Sequence, residues 1–161
     1  MGSSGSQPKP SSDSRRKEAG PSIVETRYGT SMKFVIPSDY ARGREVQSRI
    51  LAEVDKFKYN SDSAFAIKLS LEEAVVNAIK HGNKLDVTKR VFIEALVGPD
   101  QTELTIEDEG PGFQRSEVPD PTSPENLEKC SGRGILLIEA YMNGVSWSNS
   151  GRKMHMIKRN D

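Results

Sequence analysis

Between Ile79 and Val91 the spacing of apolar residues changes from three or four to two, and that switch restricts the chain to folds that stack helices on a sheet. Upstream, Val46, Ile50, Leu51, Val54 and Phe57 form one helical stripe, capped by Ser38 or Asp39 and running to about Phe57. A second stripe, Ala64, Ile67, Leu71, Ala74, Val75, Ala78 and Ile79, starts from a cap within Asn60 to Asp62 and stops at His81-Gly82-Asn83. Downstream, Val91, Ile93, Ala95 and Val97 alternate as in a strand, and Gly98-Pro99-Asp100 turns the chain. Leu104, Ile106 and Asp108 then share the inward face of the next strand, which carries a carboxylate onto the side of the core.

The remaining elements complete the pattern. Gly134 opens a short helix, Ile135 to Met142, and a hairpin pairs Val145–Ser148 with Lys153–Lys158 around Asn149-Ser150-Gly151. Near the front, Ile23 to Tyr28 and Met32 to Ile36 flank a Gly29-Thr30 turn, as a hairpin or as a strand after an extended segment. The order strand, helix, helix, strand, strand, loop, helix, strand, strand predicts an α/β two-layer sandwich of the α+β kind. Its sheet is expected to be mixed and largely antiparallel, with the helices on one face.

Residues 1–22 carry seven serines, three prolines and only Met1 and Ala19 as apolar residues. Such a segment buries too little to offset roughly 1–2 kcal/mol of backbone entropy per residue. The expectation is a disordered arm over 1–30 and one domain over 31–161. Lys and Arg number 23, as do Asp and Glu, so the formal net charge is zero and direct nucleic-acid binding is not expected. The longest clean apolar run, Ile135 to Ile138, is far short of the roughly 20 residues that span a bilayer, so no membrane partner is expected. Residues 1–20 hold no apolar stretch of the signal-peptide kind, and the single cysteine, Cys130, leaves neither an internal disulfide nor a cysteine metal cage. Together these features predict a cytoplasmic protein.

Three clusters carry chemistry. Glu73 and Asn77, four apart, share one helix face: a carboxylate able to deprotonate a nucleophile beside a carboxamide oxygen able to ligate Mg²⁺. Asp108-Glu-Gly110-Pro-Gly112 sets an inward acid, suited to accept from an amino group such as that of adenine, before two glycines that permit close backbone approach. Ser131-Gly132-Arg133-Gly134, at the head of a helix, offers free N–H groups and a positive charge to an anion. Each alone has an ordinary counterpart: a solvated polar pair, a strand-ending turn, a loop entering a helix. His81 and His155 have no ligand-like spacing.

The order and spacing of the three are more specific. Glu73-x-x-x-Asn77, Asp108-x-Gly110-x-Gly112 and Gly132-x-Gly134 resemble the conserved boxes of the ATPase superfamily of DNA gyrase, histidine kinases and mismatch-repair ATPases. Glu-Ala-Val-Val-Asn-Ala-Ile-Lys-His-Gly-Asn (73–83), Pro-Asp-Pro-Thr-Ser-Pro-Glu-Asn-Leu (119–127) and Ser-Gly-Arg-Gly-Ile-Leu-Leu-Ile (131–138) are similar to the bacterial anti-sigma factor serine kinases. The resemblance covers about 32–158 and implies a Bergerat-type ATP-binding fold. It implies Glu73 as general base for a serine hydroxyl, Asn77 as Mg²⁺ ligand and Asp108 as partner of the adenine amino group. It further implies nucleotide contacts at Gly110, Gly112, Gly132, Arg133 and Gly134, and an ATP lid over Phe113 to Ser131. The function so implied is an ATP-dependent protein serine kinase that phosphorylates an anti-anti-sigma protein, sequesters a sigma factor and forms a homodimer. The alternative is a regulatory module that binds ATP without transfer and works by protein–protein contact; Glu73, a base that such a module does not need, favours the kinase. Two departures, Met142-Asn143 where the family has Met-Asp and the serine-rich arm, fall outside the nucleotide boxes.

Overall fold

The computed structural model describes residues 20–112 and 130–161. Six strands form one sheet in the order β1 (Ser22–Thr26), β2 (Gly29–Pro37), β3 (Arg90–Val97), β4 (Gln101–Glu107), β6 (Lys153–Arg159) and β5 (Gly144–Ser148). Every neighbouring pair is antiparallel, so the mixed sheet expected from the sequence is corrected to a wholly antiparallel one. The reason lies in the connections. Helices α1 (Tyr40–Lys56) and α2 (Ser61–Val76) run out and back, returning the chain to the end of the sheet it left. β3 therefore descends beside β2 in the opposite sense. After β4, helix α3 (Cys130–Tyr141) leads back along the sheet, so β5 starts at the far end and β6 runs antiparallel to β4. This topology gathers the ends of β2, α2 and β4 and the starts of β3 and α3 at one edge of the molecule.

The arm boundary at residue 30 also moves. Ser22–Thr26 pairs with Gly29–Lys33, and the turn falls at Arg27–Tyr28 rather than Gly29-Thr30. Of the two readings of this segment the hairpin is the one observed, with all five β1 residues exposed at the edge of the sheet. Residues 1–19 lie outside the described residues.

Local chemistry explains the helix starts. Asp39 caps α1 by accepting from the Ala41 N–H at 3.3 Å, and Asn60 caps α2 by accepting from the Ser63 N–H at 2.9 Å, each worth about 1 kcal/mol. The predicted stripes then fill one core. Val46, Ile50, Val54, Ile67, Leu71, Val75 and Ile79 pack on Phe34, Ile36, Val91, Ile93, Leu104, Ile106 and Met156 of the sheet. Burying each such side chain contributes about 1.5–3 kcal/mol. At Gly43 of α1, an added Cβ would stand 3.0 Å from Val75 and 3.3 Å from Ile79, so the missing side chain lets the two helices pack closely. No described helix is long and apolar enough to cross a membrane.

The end of α2 departs from expectation. Regular α-helix stops at Val76, and Asn77–Gly82 continues as a wider π-turn, closed by the Asn83 N–H on the Ala78 carbonyl at 2.8 Å. α3 begins at Cys130, one turn before the start expected at Gly134.

Candidate functional site

Glu73 lies in the last turn of α2 and Asn77 opens the π-turn, so their shared face survives the change of helix type. Both side chains reach the first turn of α3. A Cβ built on Gly134 would stand 2.7 Å from Glu73 Oε2 and 3.4 Å from Asn77 Nδ2, so a side chain there would push the Glu73 carboxylate out of its place. Partial burial, and then the neighbouring Glu72 charge, raise the Glu73 carboxyl above the usual glutamate range. Asn77 Nδ2 is buried and has no hydrogen-bond partner among the described residues. An unsatisfied buried amide costs about 1–3 kcal/mol, the kind of deficit found where a ligand belongs.

Asp108 sits one residue beyond β4 and keeps the strand's inward register. Its N–H donates to the Arg152 carbonyl at 3.0 Å, extending the ladder to β6. Its Oδ1 accepts from the Gly110 N–H at 2.8 Å, and the carboxylate rests on Gly82, where a Cβ would collide with it. Burial pushes this acid up, opposed by the Gly110 N–H and by the Arg152 charge. Gly110 in turn touches the Gly82 carbonyl, and Gly112, at φ 84°, approaches the Ser150 carbonyl where a side chain would clash. Both glycines expected to admit a ligand therefore serve close contacts within the protein. Asp108 also borders an open depression of about 470 Å³ lined by Phe92, Glu107, Glu109, Gly110 and Arg152.

The structure thus brings Glu73, Asn77 and Gly134 into contact, and Asp108 and Gly110 into contact with Gly82. The π-turn from Asn77 to Gly82 joins the two groups within six residues. Gly132 and Arg133 fall in the first turn of α3. The side chains of 130–133, and with them the expected phosphate contact of Arg133, lie outside the described residues, as does the expected lid from Phe113 onward. Sequence reading missed the parts that hold Asp108 in place. In the sequence, Gly82 and Asn83 mark only the end of a helix. Arg90, whose N–H donates to Glu109 Oε1 at 2.6 Å and whose guanidinium pairs with Oε2 at 3.0 Å, had no role.

A helix-borne acid and amide against a glycine turn, beside a half-buried aspartate at the end of an antiparallel sheet, define the class. The family model described as the histidine kinase-like ATPase domain matches residues 36–158, and the chain belongs to that family. Its relatives include anti-sigma F factors. That of Clostridium perfringens strain SM101 is 39% identical over 99 residues, covering 58% of this chain and 70% of the relative. That of Oceanobacillus iheyensis is 36% identical over 104 residues, 61% of this chain and 70% of the relative. The Clostridium kluyveri protein is 30% identical over 139 residues and spans 81% and 95%. A crystal structure of the RsbU and RsbW domains of a Mycobacterium tuberculosis protein superposes with a TM-score of 0.55 at 14% identity. It covers 81% of this chain but 32% of that one, and the likeness is one of fold.

Proposed function

We propose that this protein is an ATP-dependent serine kinase that acts as an anti-sigma factor, phosphorylating a serine of an anti-anti-sigma partner and sequestering a sigma factor. The observation that carries the reading is the meeting of Glu73, Asn77 and Gly134: a base beside a metal-ligating amide, both against the helix start expected to receive phosphates. The sigma-factor partner follows from the names of the relatives, and a homodimer belongs to the same reading, to be checked by light scattering.

Asp108 accepts from the amino group of adenine. The first N–H groups of α3, with Gly132, Arg133 and Gly134, meet the phosphates, as helix N-termini favour anions. Asn77 suits Mg²⁺ through its carboxamide oxygen, a hard ligand, while its buried Nδ2 has a hydrogen bond still to give to a phosphate oxygen. Mg²⁺ held by Asn77 would be shared with the nucleotide, as the ion is usually bound by few protein groups together with substrate phosphates. When bound, the metal neutralises phosphate charge. Glu73 takes the proton of the acceptor hydroxyl as its oxygen bonds to the γ-phosphorus. The bond from that phosphorus to the bridging oxygen breaks, and ADP leaves with the electron pair. The protein contributes positioning and charge compensation, the larger part of catalysis in phosphoryl transfer.

The test is incubation with γ-labelled ATP and candidate acceptor proteins encoded at neighbouring loci, followed by mapping of phosphoserine. Label on one serine, lost in Glu73→Ala while ATP still binds, is the expected result. ATP binding without label on any acceptor would leave the binding-only module in its place.

A further inference from the structure

Asn83 is fully buried and polar, and its carboxamide lies at the junction of four segments. Nδ2 donates to Ser38 Oγ at 2.9 Å and to the Arg90 carbonyl at 2.9 Å, while Oδ1 accepts from the Glu109 N–H at 2.7 Å. With acceptors on one side and a donor on the other, the amide has one orientation that satisfies all three. Ser38 Oγ in turn donates to the Lys89 carbonyl at 2.9 Å, so the network holds the end of β2 and the approach to β3 together.

The bond to Glu109 matters most, because that N–H belongs to the peptide joining Asp108 to Glu109. Gripping this peptide fixes the backbone from which the Asp108 side chain springs. The carboxylate is then held by the Gly110 N–H and by the surface of Gly82, the residue immediately before Asn83. Asp108 is thus located on two sides by consecutive residues of the turn that ends α2.

We propose that Asn83 is a positioning residue for base selectivity: its Oδ1 sets the Asp108–Glu109 peptide so that the Asp108 carboxylate faces the purine amino group. The inference rests on the assignment of Asp108 to that amino group. A carboxylate discriminates adenine from a base bearing a carbonyl at the same carbon only if it is held at hydrogen-bond distance, since direction and separation decide whether the pair attracts. Loss of the Asn83 acceptor lets the peptide rotate, and the preference falls with it.

The experiment measures ADP and inosine diphosphate affinities by calorimetry for the full chain and four variants. Inosine carries a carbonyl where adenine carries its amino group, so the ratio of the two affinities reports this one contact. Wild type is expected to favour ADP, and Asp108→Ala to lose the preference. Asn83→Ala is expected to reduce the ADP affinity about tenfold, the worth of a well-placed hydrogen bond to a charged group, with little change for inosine diphosphate. Asn83→Asp keeps an oxygen toward the Glu109 N–H and, as the neutral acid that full burial favours, a hydroxyl that donates to the Arg90 carbonyl in place of Nδ2, so it is expected to retain most of the preference. Ser38→Ala weakens the same network without touching Asp108, so it lowers the melting temperature and leaves the ratio alone.

If wild type does not discriminate, or Asp108→Ala still does, the Asp108 assignment fails and takes this proposal with it. If those two behave as expected but the ratio is unchanged in Asn83→Ala, Asn83 is structural only and the proposal alone is overturned. Should Asn83→Ala not fold, Asn83→Asp decides: a lost preference there, with the acceptor oxygen still present, overturns it.

Discussion

Asp108 and Glu73 are both acids drawn out of water, and both are held above their ordinary range by burial. For Asp108 the folded value lies above the unfolded one, so the folded chain binds this proton more tightly. The group thus detracts from stability at neutral pH, and that loss is relieved as pH falls through the folded value toward the unfolded one. Asp108→Asn keeps an oxygen for the Gly110 N–H while removing the charge. The unliganded variant is expected to melt at or above the wild-type temperature and to lose its response to nucleotide; a lower melting temperature with nucleotide binding intact would contradict both parts. For Glu73 the consequence is kinetic. Only the ionised form takes a proton, so transfer should rise with pH on the acid limb, with an inflection above the usual glutamate range. Glu73→Gln should abolish transfer, and with it that limb, at unchanged nucleotide affinity, as rate against pH and calorimetry would show.

At the scale of elements, the end of α2 decides how the site is assembled. The 3–4 residue spacing through Ile79 identifies the helix and places Glu73 and Asn77 on one face, because a side-chain period is written in the sequence. Widening of the last turn is not, since Asn77–Gly82 keeps an apolar Ala78 and Ile79 whichever carbonyl accepts each N–H. Yet this widening sets Gly82 on the Asp108 carboxylate and turns Asn83 inward. Gly82→Ala would drive a methyl into that carboxylate, costing about 1–3 kcal/mol of stability by overpacking and lowering nucleotide affinity by an order of magnitude or more. Thermal melts and calorimetry read the two effects. The glycines of 108–112 show a related limit. Their close approaches were legible as glycines, but their partners, Gly82 and the Ser150 carbonyl, come from distant segments that no local pattern names. β1 is placed in the sequence by the nearby Gly29-Thr30 rather than by alternation, which sets the turn two residues late, because an edge strand exposed along its length has no inward face to fix its register.

For the whole molecule, the two-layer arrangement followed from the order of periodicities, whereas the wholly antiparallel sheet required counting how often helices recross it. If the site takes nucleotide, binding adds to global stability by mass action, about 2.7 kcal/mol at a hundred times Kd. For a domain of this size that is a rise of roughly 10 °C in melting temperature, and no rise with Mg-ATP would remove the functional proposal. The sheet edge that collects these groups has a further effect on the chain's lifetime. The Asn83 amide reaches Ser38 across 45 residues and Glu109 across 26, and Asp108 reaches Arg152 from the opposite side of α3. Contacts between segments this far apart in the chain must first meet a loop-closure cost, and such non-local pairings form late in folding. A nucleotide gripping that junction should leave the refolding rate nearly untouched and slow the escape from the native state, so stopped-flow denaturant jumps should find its whole effect in the unfolding limb.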